Sequence, residues 1–174
     1  MKKFLVVFPL LALLLLSSCR SSKLNIPDPE EDRSIAYATS EPEHLSDVID
    51  LIYADITMKE QINAVYSDLS NIFHLDTTMV EDYSARYTSG RYGVADVAII
   101  KLKRPDDIVD IEAVTLALEQ RRDDRIAEFE NYDVHDAFRI AKEAQIISRG
   151  NYVILLMLED FDAAETIILE NIPG

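Results

Sequence analysis

The chain has 174 residues, 48% hydrophobic and 28% charged, which is the composition of a globular protein rather than a disordered one. With 17 Lys+Arg against 32 Asp+Glu its net charge is −15, which repels phosphate backbones and argues against nucleic-acid binding. A single cysteine excludes an intrachain disulfide, and four glycines leave little material for phosphate-cradling loops.

The chain opens MKKFLVVFPLLALLLLSSC. Lys2 and Lys3 precede an apolar run over residues 4–16, interrupted only by Pro9. That run is shorter than the ~20 residues a spanning helix needs. A charged start, a short apolar middle and small residues at the end read as a secretory signal peptide over residues 1–18. Leu16-Ser17-Ser18-Cys19 resembles the lipobox of bacterial lipoproteins. In that class the cysteine thiol receives a diacylglyceryl group, and cleavage leaves the cysteine as the first residue. Two acyl chains hold a protein stably where one binds only marginally. The expectation is lipidation at Cys19 and a plasma-membrane anchor on the extracytoplasmic face. Loss of Lys2 and Lys3 takes the net charge from −15 to −17. Such a surface avoids anionic headgroups, so the acyl chains must hold it at the membrane.

Residues 19–42 carry two prolines before residue 30, several serines and an acidic cluster, and read as a flexible tether. Residues 43–174 are expected to form a single α+β domain. Ser40 and Glu43 have the spacing of a capping box for a first helix, with Leu45, Val48, Ile49, Ile52 and Ile56 on its inner face. A second helix is predicted over residues 59–73, with Ile62, Val65, Leu69 and Ile72 inward. The period then changes. Tyr83, Ala85 and Tyr87 alternate along a half-buried strand, and Val97 to Ile100 form a more buried one. Between them lies Ser-Gly-Arg-Tyr-Gly at residues 89–93.

Pro105-Asp106-Asp107 opens a long helix to about Glu130, capped by Asp106 or Asp107. Its inner face is Ile111, Val114, Leu118, Ile126 and Phe129, weakening at the polar stretch EQRRDDR. Asp133 caps a shorter helix containing Val134, Ala137, Phe138 and Ala141. Gly150-Asn151 joins two apolar runs as a type II′ hairpin turn, and residues 152–158 are the most buried strand. Asp162 to Glu165 is a second capping-box pattern, before a final helix through Ile167, Ile168 and Ile172. This order predicts a small antiparallel sheet of about four strands with helices on one face.

The segments LSNIFHLDTTMVEDYSARYTSGRYGVADVAIIKLK and FENYDVHDAFRIAKEAQIISRGNYVILLML flank the long helix. They resemble a bacterial lipoprotein family described as domain of unknown function 4358. The resemblance covers about residues 43–172. It rests on Asp96 with the strand after it, the long helix, Tyr132, and Gly150-Asn151-Tyr152. It implies a signal, a lipobox, a tether and one small domain, in the manner of lipoproteins of Gram-positive anaerobes, and no activity. Relatives often carry glycine where this chain has His74, which implies a left-handed helix cap there.

His44, His74 and His135 lie in separate segments, with no histidine or cysteine partner at metal-ligand spacing, so no cofactor or metal is expected. No G-x-S-x-G elbow exists. His135 sits between Asp133 and Asp136, an arrangement open to general-base chemistry as well as to a solvated turn. Arg91 and Tyr92, flanked by Gly90 and Gly93, form a candidate partner-binding loop, since both residue types are enriched at interface hot spots. A cationic ligand or a basic partner is compatible with the charge.

The leading expectation is a non-catalytic module binding a protein or small-ligand partner at the cell envelope. The alternatives are a carboxylate-dependent envelope hydrolase and a structural spacer. A cleft holding two of Asp133, His135 and Asp136 beside another acid would favour the hydrolase.

Overall fold

The computed structural model describes residues 36–105 and 107–174. The expected signal peptide, Cys19 and the tether up to residue 35 lie outside the described residues, as does Asp106. No described helix is long and apolar enough to cross a membrane.

The elements run α1 (Leu45–Tyr53), β1 (Gln61–Asn63), α2 (Tyr66–Asn71), β2 (Val80–Thr88), β3 (Asp96–Leu102), α3 (Ile108–Phe129), α4 (Ala137–Glu143), β4 (Gln145–Arg149), β5 (Tyr152–Met157) and α5 (Phe161–Asn171). A short 3₁₀ turn, Gly90–Tyr92, separates β2 from β3. The strands form one open sheet in the order β1-β2-β3-β5-β4, and every neighbouring pair is antiparallel. The α+β class and the antiparallel pairing are as expected, with five strands where about four were expected.

Helices cover both faces of the sheet, not one. Ala98, Ile100 and Leu102 of β3 and Val153, Leu155 and Met157 of β5 face α2, α3 and α4, packing with Leu69, Val114, Leu118 and Ile140. The alternate residues Val97, Ile99, Ile154 and Leu156 face α1 and α5, packing with Val48, Ile49, Ile52 and Ile168. Successive strand residues point to opposite sides, so two covered faces require continuous rather than alternating apolar runs. Each fully buried Ile or Leu here contributes roughly 1.5–3 kcal/mol. In the β4–β5 hairpin, Gly150 has φ 54 and Asn151 has a negative φ, as a type II′ turn requires.

Four local expectations are corrected. The region 59–73 holds β1 and α2 instead of one helix. Glu60 at φ 55 breaks helical geometry, and the Gln61 amide donates to the carbonyls of Ile56 and Met58. The first helix starts at Leu45, with His44 at its N-cap and no side-chain cap bond. The final helix is capped by Asp160, which accepts from the Ala163 N–H at 3.1 Å, and not by Asp162. The left-handed residue Asp136 occupies the N-cap of α4, although Asp133 still accepts from the Phe138 N–H at 2.9 Å. Two other expectations hold. Asp107 caps α3, accepting from Val109 and Asp110, and His74 is left-handed at φ 57.

Candidate functional site

On the α1–α5 face the two helices do not close over one end of the sheet. A groove of ≈ 1030 Å³ opens there, at the edge where β3 begins and β5 ends. Val94, Ala95 and Leu158 form its floor, with Ile140 reaching it from α4. Leu51 and Ile52 of α1 line one wall, continued by Ile56 and Met58. Ala163, Ala164 and Ile167 of α5 line the other. The floor residues Val94, Ala95 and Leu158 are buried, while Leu51 on the α1 wall is 52% exposed. The polar groups stand at the rim: Asp55, Lys59, Tyr92, His135, Glu159 and Asp160.

The ends of the loop that carries Tyr92 are fastened from the opposite side of the sheet. The loop 88–96 is fastened internally by Asp96, whose carboxylate is fully buried. Its Oδ1 accepts from the Thr88 N–H at 3.1 Å, and its Oδ2 accepts from the Arg121 guanidinium at 2.6 Å. Arg125 Nε stands 3.2 Å from the same Oδ2, and its Nη2 donates to the carbonyls of Thr88 and Gly93 at 3.1 and 3.2 Å. Arg125 also pairs with Glu128 at 2.6 Å, which balances two guanidinium groups with two carboxylates. Arg121 lies 5.7 Å over both the Phe73 and Tyr87 rings, and Arg125 lies 5.2 Å over Phe129. Buried charges survive only when paired and hydrogen-bonded in this way. Nearby, the Tyr53 hydroxyl donates to the Ala95 carbonyl at 2.6 Å. Burial, reinforced by the Asp96 charge, pushes that phenol well above its ordinary pKa.

Strained backbone gathers at the groove margin. Glu60, His135 and Asp136 have φ of 55, 53 and 58, and Gly93 has φ 102. A Cβ on Gly93 would stand 3.4 Å from the Val134 carbonyl and 3.7 Å from His135 Cβ. Left-handed non-glycine residues each cost roughly 1–3 kcal/mol and cluster at functional sites.

The sequence-derived site residues are placed as follows. Tyr92 lines the groove, half-buried. Arg91 is exposed on the same turn and does not line it. Of Asp133, His135 and Asp136, only His135 lines it, while Asp136 stands 3.8 Å from Arg139. His74 bonds Asp124 at 2.6 Å on the far face. Burial raises Asp124, but hydrogen bonds from Gln120 and His74 outweigh it and hold the carboxyl below its ordinary value. Among the described residues, no group of three or more His, Cys, Asp or Glu side chains is placed to hold a metal ion. Sequence reasoning missed Arg121 and Arg125, which sit on the inner face of α3 inside the polar stretch EQRRDDR. Their spacing of four, in register with Leu118 and Phe129, was the available signal.

A family model described as Domain of unknown function (DUF4358) matches residues 53–158. The chain belongs to that family. The DUF4358 match runs from the last residue of α1 to the residue after β5. It includes Asp96, Arg121 and Arg125, the loop with Arg91 and Tyr92, and the groove floor. It leaves out nearly all of α1 and all of α5, so both helical walls of the groove lie beyond the DUF4358 span. Comparison with curated proteins found no match, and comparison with solved structures found none.

Proposed function

We propose that this protein is a lipid-anchored binding module on the outer face of a bacterial plasma membrane, and that it binds its partner in the groove beside Tyr92. The observation that carries the binding reading is the groove itself. It has an apolar floor, a rim of polar groups and a half-buried tyrosine on a loop whose ends a buried network fastens. Apolar clefts with a few placed polar groups are the usual form of a binding site. The pattern of residues 1–19 supports the address: a charged start, an apolar run too short to span, and Leu-Ser-Ser-Cys. A carboxylate-dependent hydrolase has less support, because only one of the three residues singled out for it, His135, reaches the groove.

The test is proximity labelling on intact cells with the full chain. Ala163→Trp fills the groove from α5, and Leu116→Trp places the same ring on the exposed outer side of α3, where Leu116 is 64% exposed. The expected result is a labelled set that Ala163→Trp loses and Leu116→Trp keeps. An identical set from both variants would overturn the groove as the binding site. In the same cells Cys19→Ala is expected to leave the membrane fraction, and its retention there would overturn the anchor.

A further inference from the structure

We infer that the occupant of the groove is a peptide segment of a partner protein in which basic residues stand beside apolar ones. This rests on the binding reading above and specifies its chemistry. Asp55, just after α1, and Glu159, just before α5, stand on the two sides of the apolar floor. Neither has an ion-pair or hydrogen-bond partner among the described residues. Several acids elsewhere have such partners, while others, Glu112, Glu119 and Glu165 among them, have none among the described residues, so what distinguishes Asp55 and Glu159 is their place beside the groove. Asp50 meets Arg86, Glu41 and Glu81 meet Lys101, Asp107 and Asp110 meet Arg104, and Glu143 meets Arg139. Asp160 adds a third carboxylate to the rim, with one oxygen engaged by the Ala163 N–H. Lys59 is the only Lys or Arg among the lining residues, so three carboxylates face one ammonium.

An acidic rim around an apolar floor complements a cationic and apolar occupant, and the whole-chain charge of −15 steers such an occupant inward. Size separates a peptide from a small cation. The groove's ≈ 1030 Å³ lies at the upper limit of ordinary small-ligand sites, roughly 300–1,000 Å³, and it is open along one side. Two or three apolar side chains fit on Ile56, Met58, Leu158 and Ile167, while lysine or arginine heads reach Asp55 and Glu159. Recognition of an apolar stripe in a groove between helices is an established peptide-binding mode.

The experiment places the full-length lipoprotein in nanodiscs of neutral phosphatidylcholine. Random twelve-residue peptides are selected against it, with empty nanodiscs as counter-selection. The affinities of the enriched peptides are then measured by fluorescence anisotropy at two salt concentrations. The expected peptides combine Lys or Arg with Leu, Ile or Phe. The double variant Asp55→Asn, Glu159→Gln should weaken them about tenfold and flatten their salt dependence, while Ala163→Trp should abolish binding. Unchanged thermal midpoints confirm that both variants fold, since the altered side chains are exposed. Acidic or uncharged peptides that still lose binding on Ala163→Trp would overturn the charge inference and leave the groove as a binding site. No enrichment, or peptides indifferent to Ala163→Trp, would overturn both.

Discussion

The two faces of the sheet are built from the same strands and finished differently. On the face under α3 a helix of 22 residues covers the sheet, and even its two buried arginines have partners. On the opposite face two short helices leave a groove at one end, with Val94, Ala95 and Leu158 buried at its base. The other end of that face is closed. There Lys101 Nζ bonds both Glu41 and Glu81 at 2.9 Å, Arg149 Nε bonds the Ile172 carbonyl at 2.6 Å, and Ala38 N–H bonds the Leu169 carbonyl at 2.9 Å. A long helix with paired buried charge makes a face that carries stability. Short helices leave a grooved face with exposed acids at its rim.

Breaking the covered face should cost most. Asp96→Ala leaves Arg121 and Arg125 buried without the carboxylate they share and takes the acceptor from the Thr88 N–H, and removing one partner of a buried pair costs ~3–5 kcal/mol. Leu51→Ala in the groove should change stability by less than ~0.5 kcal/mol, as surface substitutions do. Urea denaturation of both variants measures the contrast, and equal losses would erase the distinction between the faces. Gly93→Ala probes the junction between them. With φ 102 at this position, the alanine should cost ~1–3 kcal/mol by the same measurement. A neutral result would mean that backbone geometry does not hold Tyr92.

The smallest effect belongs to the closed end of the open face. The hydrogen bonds that Lys101 donates to Glu41 and Glu81 hold it above the ordinary lysine pKa, so the unfolded chain loses that proton first as pH rises. The contribution is complete below pH ~10.4 and fades above it. The Lys101 hydrogen bond holds Glu41 below the ordinary carboxylate pKa, so its contribution is complete above pH ~4.3 and fades as pH falls. Lys101→Met should flatten both limbs and cost no more than ~1 kcal/mol at pH 7, because Glu41 is half exposed. Tyr152, pushed up to about 12 chiefly by burial, leaves an alkaline loss that the variant retains. A stability-versus-pH profile identical to wild type would show that this end is closed by packing alone.

Elements with strong periodicity were legible in the sequence. The run Val97–Ile100, the Gly150-Asn151 turn and Asp107 before a long helix stand where residue type placed them, and the left-handed His74 stands where the family resemblance implied it. The region 59–73 was not legible, because Ile62, Val65 and Leu69 mimic a helical stripe while Ile62 and Val65 are in fact exposed. There the pairing of Gln61 with Thr88 on β2 overrides local preference. The covering of both faces was available in principle, since Val97 to Ile100 and residues 152–158 are apolar without alternation. At the site, Tyr92 could be singled out from its glycine neighbours. The groove could not, because its walls come from segments more than a hundred residues apart along the chain. Arg121 and Arg125 were hidden by charge, which reads as solvent-facing until a buried carboxylate is known to wait for it.

The position of Asp96 ties the two faces of the sheet together. Its carboxylate holds the Thr88 N–H at the root of the loop that carries Tyr92, and is itself held by Arg121 of the long helix. Parting β2 from β3 at that root would therefore expose a charge that α3 keeps dry, so the setting of a loop beside one face is anchored in the electrostatics of the other.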